Sequence, residues 1–159
     1  MKSPIDGLLV FDKPKIGLRG RLHILVRNEE TGEILRDEWN DNKIVDAGLN
    51  LVRDIIAGGN APVSHVAVGD NSTAPLAAET ILKNEVFRSV INKRIPTDKI
   101  IEIQNFIPTS SANDFTLREA GIFNASSAGD MLSRVTYADI VKTSAISVTL
   151  TWAITLSEA

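Results

Sequence analysis

A chain of 159 residues, 43% hydrophobic and 23% charged, has the size and balance of one globular domain, which argues against low-complexity disorder. The absence of cysteine excludes disulfide scaffolds, thiolate metal sites and thiol nucleophiles. A formal net charge of -3 gives no general pull toward nucleic acid or anionic lipid, and no apolar run is long enough for a spanning helix, so neither partner is expected.

Residues 1–20 carry two prolines and three glycines with no clear period, and they read as an irregular arm. Such an arm either packs loosely or docks onto a neighbouring subunit. Its apolar group, Leu8 to Phe11, is soon interrupted by Asp12 and Lys13 and is too short for a secretory segment. The chain is therefore expected to stay in a cytoplasm until it is assembled. Residues 21–159 read as a single β-rich domain.

Leu22, Ile24 and Val26 alternate with His23, Leu25 and Arg27, which predicts a strand. Asn28 to Gly32 is a polar loop whose glycine supplies a left-handed position, and Glu33 to Trp39 closes a hairpin. Asp41 and Asn42 then offer a helix N-cap. Ile44, Val45, Leu49, Val52, Ile55 and Ile56 follow at helical spacing, and Gly58-Gly59 ends the pattern. One amphipathic helix is expected over about 43–57, lying on a sheet.

Val63 to Val68 predicts a short buried strand, Gly69 to Thr73 a turn, and 76–84 a helical turn. Val86–Ile95, Lys99–Ile107, Phe115–Phe123 and Met131–Tyr137 predict further strands. The last strand is the clearest. Ile146, Val148, Leu150, Trp152, Ile154 and Leu156 share one face, and Ser147, Thr149, Thr151, Ala153 and Thr155 share the other. The expected fold is mainly β (α+β): an antiparallel sandwich or meander with an N-terminal hairpin and one helix.

Chemistry is sparse. His23 and His65 lie in separate predicted strands, and no serine sits in a Gly-x-Ser-x-Gly elbow. Asp70-Asn71-Ser72 lacks the later acidic positions of a calcium loop, and Gly17-Leu18-Arg19-Gly20 lacks the Lys-Ser/Thr of a phosphate loop. A pair of glycosidase carboxylates cannot be read from sequence, because only the fold brings two acids together. No catalytic residue, metal site or cofactor is expected.

Basic residues gather at Lys13, Lys15, Arg19, Arg21 and Arg27, and again at Arg88, Lys93, Arg94 and Lys99. Aromatic residues make up only 5% of the chain, so these clusters read as solvated faces or subunit interfaces, not as base-stacking platforms. Arg118 and Glu119 are adjacent charges in an apolar strand and point to opposite faces; one must turn inward or toward another subunit and find a partner there. Gly121 beside them suggests a bulge or a close backbone approach. The candidate interface is therefore Arg118, Glu119, Gly121 and Phe123, the outward threonines Thr149, Thr151 and Thr155, and Lys13 and Arg19 of the arm.

Two blocks carry a resemblance. The first runs His65-Val66-Ala67-Val68-Gly69-Asp70, Thr73-Ala74-Pro75, then Leu82-Lys83-Asn84-Glu85-Val86-Phe87-Arg88. The second is Thr116 to Asn124, followed by Gly129-Asp130-Met131-Leu132-Ser133-Arg134. Together with Asn42 to Leu49 and Thr143 to Leu156, they resemble the N-terminal domains of phage tail-fibre and tail-collar-fibre proteins over about 42–156. The resemblance implies a non-enzymatic structural component of a tailed-phage virion, assembled in the bacterial host cytoplasm. It also implies a homo-oligomer, commonly a trimer, that binds other virion proteins. The short chain suggests a collar, neck, fibre-base or baseplate element rather than a receptor-binding tip. Capsid decoration and host-surface glycan binding are the alternatives.

Overall fold

The computed structural model describes residues 16–158. They form β1 (Ile16–Asn28), β2 (Ile34–Ile44), α1 (Asp46–Ile56), β3 (His65–Gly69), β4 (Glu85–Val90), β5 (Lys93–Thr97), β6 (Ile100–Ile107), β7 (Thr116–Phe123), β8 (Met131–Val141) and β9 (Ile146–Glu158). The fold is mainly β, and every strand pairing is antiparallel. The strand order is β4-β3-β7-β8-β2-β1-β9-β6-β5.

The sheet curls, and β2 is the hinge of the curl. Its first part pairs with β1, and its end pairs with β8 through Lys43–Arg134 and Ile44–Ser133. Side chains from both halves meet in one core: Leu22, Ile24 and Val26 of β1 and the inward row of β9 on one side, Val66, Ala120, Ile122 and Val135 on the other. Trp152 is fully buried at its centre. The alternation that predicted the last strand holds from Ile146 to Ile154, which are buried, whereas Leu156 at the strand's end is 36% exposed.

A second, smaller cluster of Val45, Ala67, Leu82, Phe123 and Met131 lies on the far side of β3 and β7. The loop between Gly69 and Glu85 folds back over it, so β7 is buried on both faces. That explains why β7 reads as a nearly continuous apolar run rather than an alternating one.

Several expectations are corrected. Residues 16–20, assigned to an irregular arm, open β1, where Ile16 to Gly20 pair with Glu158 to Ile154. Residues 1–15 lie outside the described residues. Asp41 and Asn42 do not cap the helix: β2 runs on to Ile44, and Val45 occupies the N-cap with no side-chain hydrogen bond. Asp46 in the first turn and Arg53 in the last complement the helix dipole instead. Gly58 (φ 73) ends the helix as expected. Val86–Ile95 is not one strand. It breaks at Ile91-Asn92 into β4 and β5, which lie at opposite edges of the sheet. Pro96 sits within β5, an edge strand, where a missing N–H costs least. Residues 76–84 hold a single turn, as expected, in which the Glu79 N–H donates to the Leu76 carbonyl. Gly121 is not itself at a register shift; an added Cβ there would press on the Ser133 carbonyl, so close approach is its constraint.

Candidate functional site

The motif blocks converge on a buried ionic clasp. Arg134 on β8 and Glu119 on β7 are both fully buried, and Arg134 Nε donates to Glu119 Oε2 at 2.7 Å. Arg134 Nη1 also donates to the Thr73 carbonyl at 2.8 Å and to Glu79 Oε2 at 3.1 Å. Glu119 in turn accepts the backbone N–H groups of Lys83 (3.1 Å) and Asn84 (2.8 Å). Lys83 Nζ closes the set at 3.0 Å from Glu79 Oε1. Each buried carboxylate thus faces a cation, as charges far from water require, with the partly exposed Lys83 at the rim of the set. Every partner outside β7 and β8 belongs to the 70–84 loop, so the clasp ties that loop to the sheet.

Burial works against the Glu79 carboxylate, but the Leu76 N–H, Lys83 and Arg134 outweigh it and hold its pKa below the usual value. Tyr137 lies beside the clasp and donates its hydroxyl to the Glu119 carbonyl at 3.0 Å. Burial, and then the Glu119 charge, push that hydroxyl's pKa far up, so it stays a neutral donor.

Three further cations are also held. Arg88 donates to Glu85 (2.6 and 2.8 Å) and to the carbonyls of Ala125 and Ala128, with its guanidinium 3.9 Å from the Phe123 ring centroid. Arg118 pairs with Asp139 through two hydrogen bonds and reaches the Asp70 carbonyl. Lys142, fully buried, donates to Asn113 Oδ1 and the Thr143 carbonyl, and burial lowers its pKa. The Arg88–Lys99 cluster is therefore not one patch, because Arg88 is turned inward and Arg94 donates to the Val63 carbonyl.

The outer face of β5-β6-β9-β1-β2 is different in character. Cross-strand register aligns Trp39, His23, Thr151 and Gln104 in one row. Leu25, Thr149 and Phe106 form the next, and Arg19, Thr155 and Ile100 another. Trp39 is 49% exposed and Phe106 44%. The Arg21 guanidinium lies 5.1 Å from the Trp39 ring centroid, and the His23 ring packs beside it at 4.9 Å. His23 Nε2 is 2.6 Å from Asp37 Oδ1.

The nine expected interface residues thus divide. Arg19, Thr149, Thr151 and Thr155 come together on this outer face. Arg118 sits on the other half of the sheet, partly exposed and paired within the chain. Glu119, Gly121 and Phe123 are buried, so no partner reaches them while the fold stays closed. Lys13 lies outside the described residues. Sequence reasoning expected a partner for an inward charge at Arg118–Glu119, and Glu119 has one. It missed Arg134, Glu79 and Lys142; an Arg within the apolar run Met131–Tyr137 was the signal for the first.

A family model described as phage tail-collar fibre protein, N-terminal, matches residues 43–156. No curated protein and no solved structure matches the chain. The matched span holds the whole clasp and all of β3 to β8.

Proposed function

The chain belongs to the phage tail-collar fibre protein N-terminal family and so to the tail structures of tailed phages, and we propose that it is a non-enzymatic building block at the collar or fibre base. It self-associates, as a trimer, and docks other virion proteins through the outer face of β5-β6-β9-β1-β2. The observation that carries this reading is that face itself. It sets half-exposed Trp39 and Phe106 among small threonines over five strands with nothing packed on it among the described residues. Exposed, partly apolar patches of this kind mark protein–protein interaction sites.

β9 is paired on both sides, so self-association through it uses the side-chain face and not a strand edge. A glycan platform is less well supported, because the Arg21 guanidinium already lies over the Trp39 ring. Light scattering of the purified chain, beside its Thr151→Arg variant, tests the reading. A trimer that the variant dissociates supports it; a monomer at high concentration in both counts against self-association. The position of the chain in an electron-microscopy map of the virion tests the collar or fibre-base location.

A further inference from the structure

Lys142 is a buried cation unlike Arg134. It is fully buried just past the end of β8, yet among the described residues no carboxylate pairs with it. Its Nζ donates to Asn113 Oδ1 at 2.8 Å and to the Thr143 carbonyl at 3.0 Å. An ammonium has three N–H groups to satisfy, whereas a neutral amine has two and a lone pair. Two acceptors match the neutral amine, and burial, which lowers the Lys142 pKa, favours the same form. Asn113 is held to meet it. Asn113 Nδ2 donates to the Thr109 carbonyl at 2.8 Å, which fixes the plane of the amide. Ala112 (φ 56) and Asp114 (φ 68) on either side adopt left-handed conformations that are strained for residues with a Cβ. The Asp114 N–H donates to the Lys142 carbonyl, and the Lys142 N–H to the Phe115 carbonyl, so the two backbones are tied at this point.

We propose that Lys142 and Asn113 are a modification site, at which the chain forms an amide crosslink with itself. A nitrogen hydrogen-bonded to an amide oxygen lies roughly 3.5 Å from the amide carbon, close to the spacing of a reacting pair. Rotation about the terminal bonds of the lysine brings the Nζ lone pair over Asn113 Cγ. Nζ attacks, and a C–N bond forms. The Cγ–Nδ2 bond then breaks, and Nδ2 leaves as ammonia with one proton taken from Nζ. One secondary amide and one ammonia result, with no oxidant, reductant or cofactor consumed. No carboxylate assists the proton transfer, so the step relies on proximity, for which effective molarities on the order of 10⁵–10⁸ M are known, and it is slow. It occurs once per chain and leaves the non-enzymatic reading as it stands. The bond encloses β7 and β8 in a covalent loop, in a chain that has no cysteine for a disulfide.

Mass spectrometry of the full chain, before and after prolonged incubation of the folded protein in mildly alkaline buffer, tests the proposal. The crosslinked chain should be lighter by one ammonia, and after proteolysis the fragments that carry Asn113 and Lys142 should stay joined. Asn113→Ala and Lys142→Met should each abolish the joined fragment. Cyclisation of an asparagine onto its own backbone also releases ammonia, but it joins no fragments. A native chain that keeps its full mass, or that loses ammonia while the two fragments separate, overturns the proposal whether or not the variants fold.

Discussion

Glu119 and Arg134 meet 2.7 Å apart between β7 and β8, with neither side chain touching solvent. The same two residues also hold the 70–84 loop, Glu119 through backbone N–H groups and Arg134 through the Thr73 carbonyl and Glu79. A buried pair adds little net stability over an apolar pair, but removing one partner strands the other charge.

Glu119→Ala is therefore expected to destabilise the fold by about 3–5 kcal/mol, and Arg134→Met by a similar amount. The double variant Glu119→Leu with Arg134→Met should cost less than the sum of the single changes. Chemical denaturation of the four proteins measures this; additive losses would mean that the two side chains act independently.

Acid should loosen the same clasp. Glu79 has its folded pKa below the ordinary 4.5, so the unfolded chain takes up that proton first as pH falls. Its stabilising contribution is full above that ordinary value and is lost as pH drops through the folded one. Melting temperature should fall as pH drops below the ordinary value of 4.5, and less steeply in Glu79→Gln. Equal slopes in the two proteins would remove Glu79 from the account.

Gly48 tests the packing of α1. It is buried in the helix, and an added Cβ would collide with the Leu132 backbone carbonyl on β8. Alanine gains about 1 kcal/mol of helix propensity. Against a fixed backbone, the overpacking penalty of roughly 1–3 kcal/mol is the larger effect. Gly48→Ala should lower the melting temperature, and a rise would mean that α1 shifts freely on β8.

Trp39 separates folding from assembly. It lies on the outer face of β2 and is half-exposed. Trp39→Ala should lower unfolding free energy by only about 1 kcal/mol, through the lost contacts with His23 and Arg21, while weakening self-association. Sedimentation at several concentrations reads the second effect. Unaltered association would shift the interface away from this part of the sheet.

Local pattern was enough to place β3, β6, β7, β8 and β9 within a few residues, along with the single helix, because a period of two or 3.6 is written into neighbouring side chains; β1 begins six residues before its alternation shows. It also called for a partner to an inward charge at Arg118–Glu119. Local pattern could not say that the partner is Arg134, 15 residues on, or that Glu79 joins them from 55 residues before Arg134. It could not divide Val86–Ile95 either, since both pieces are extended and only their neighbours, β3 for one and β6 for the other, tell them apart. The cap expected at Asp41–Asn42 failed for the same reason: β1 pairs with that segment and keeps it extended. The sequence by itself determined a mainly β fold with one helix, its family motifs and its lack of cysteine chemistry. Tertiary structure alone decided which motif residues are buried and which face is open, because burial depends on chain segments brought together from a distance.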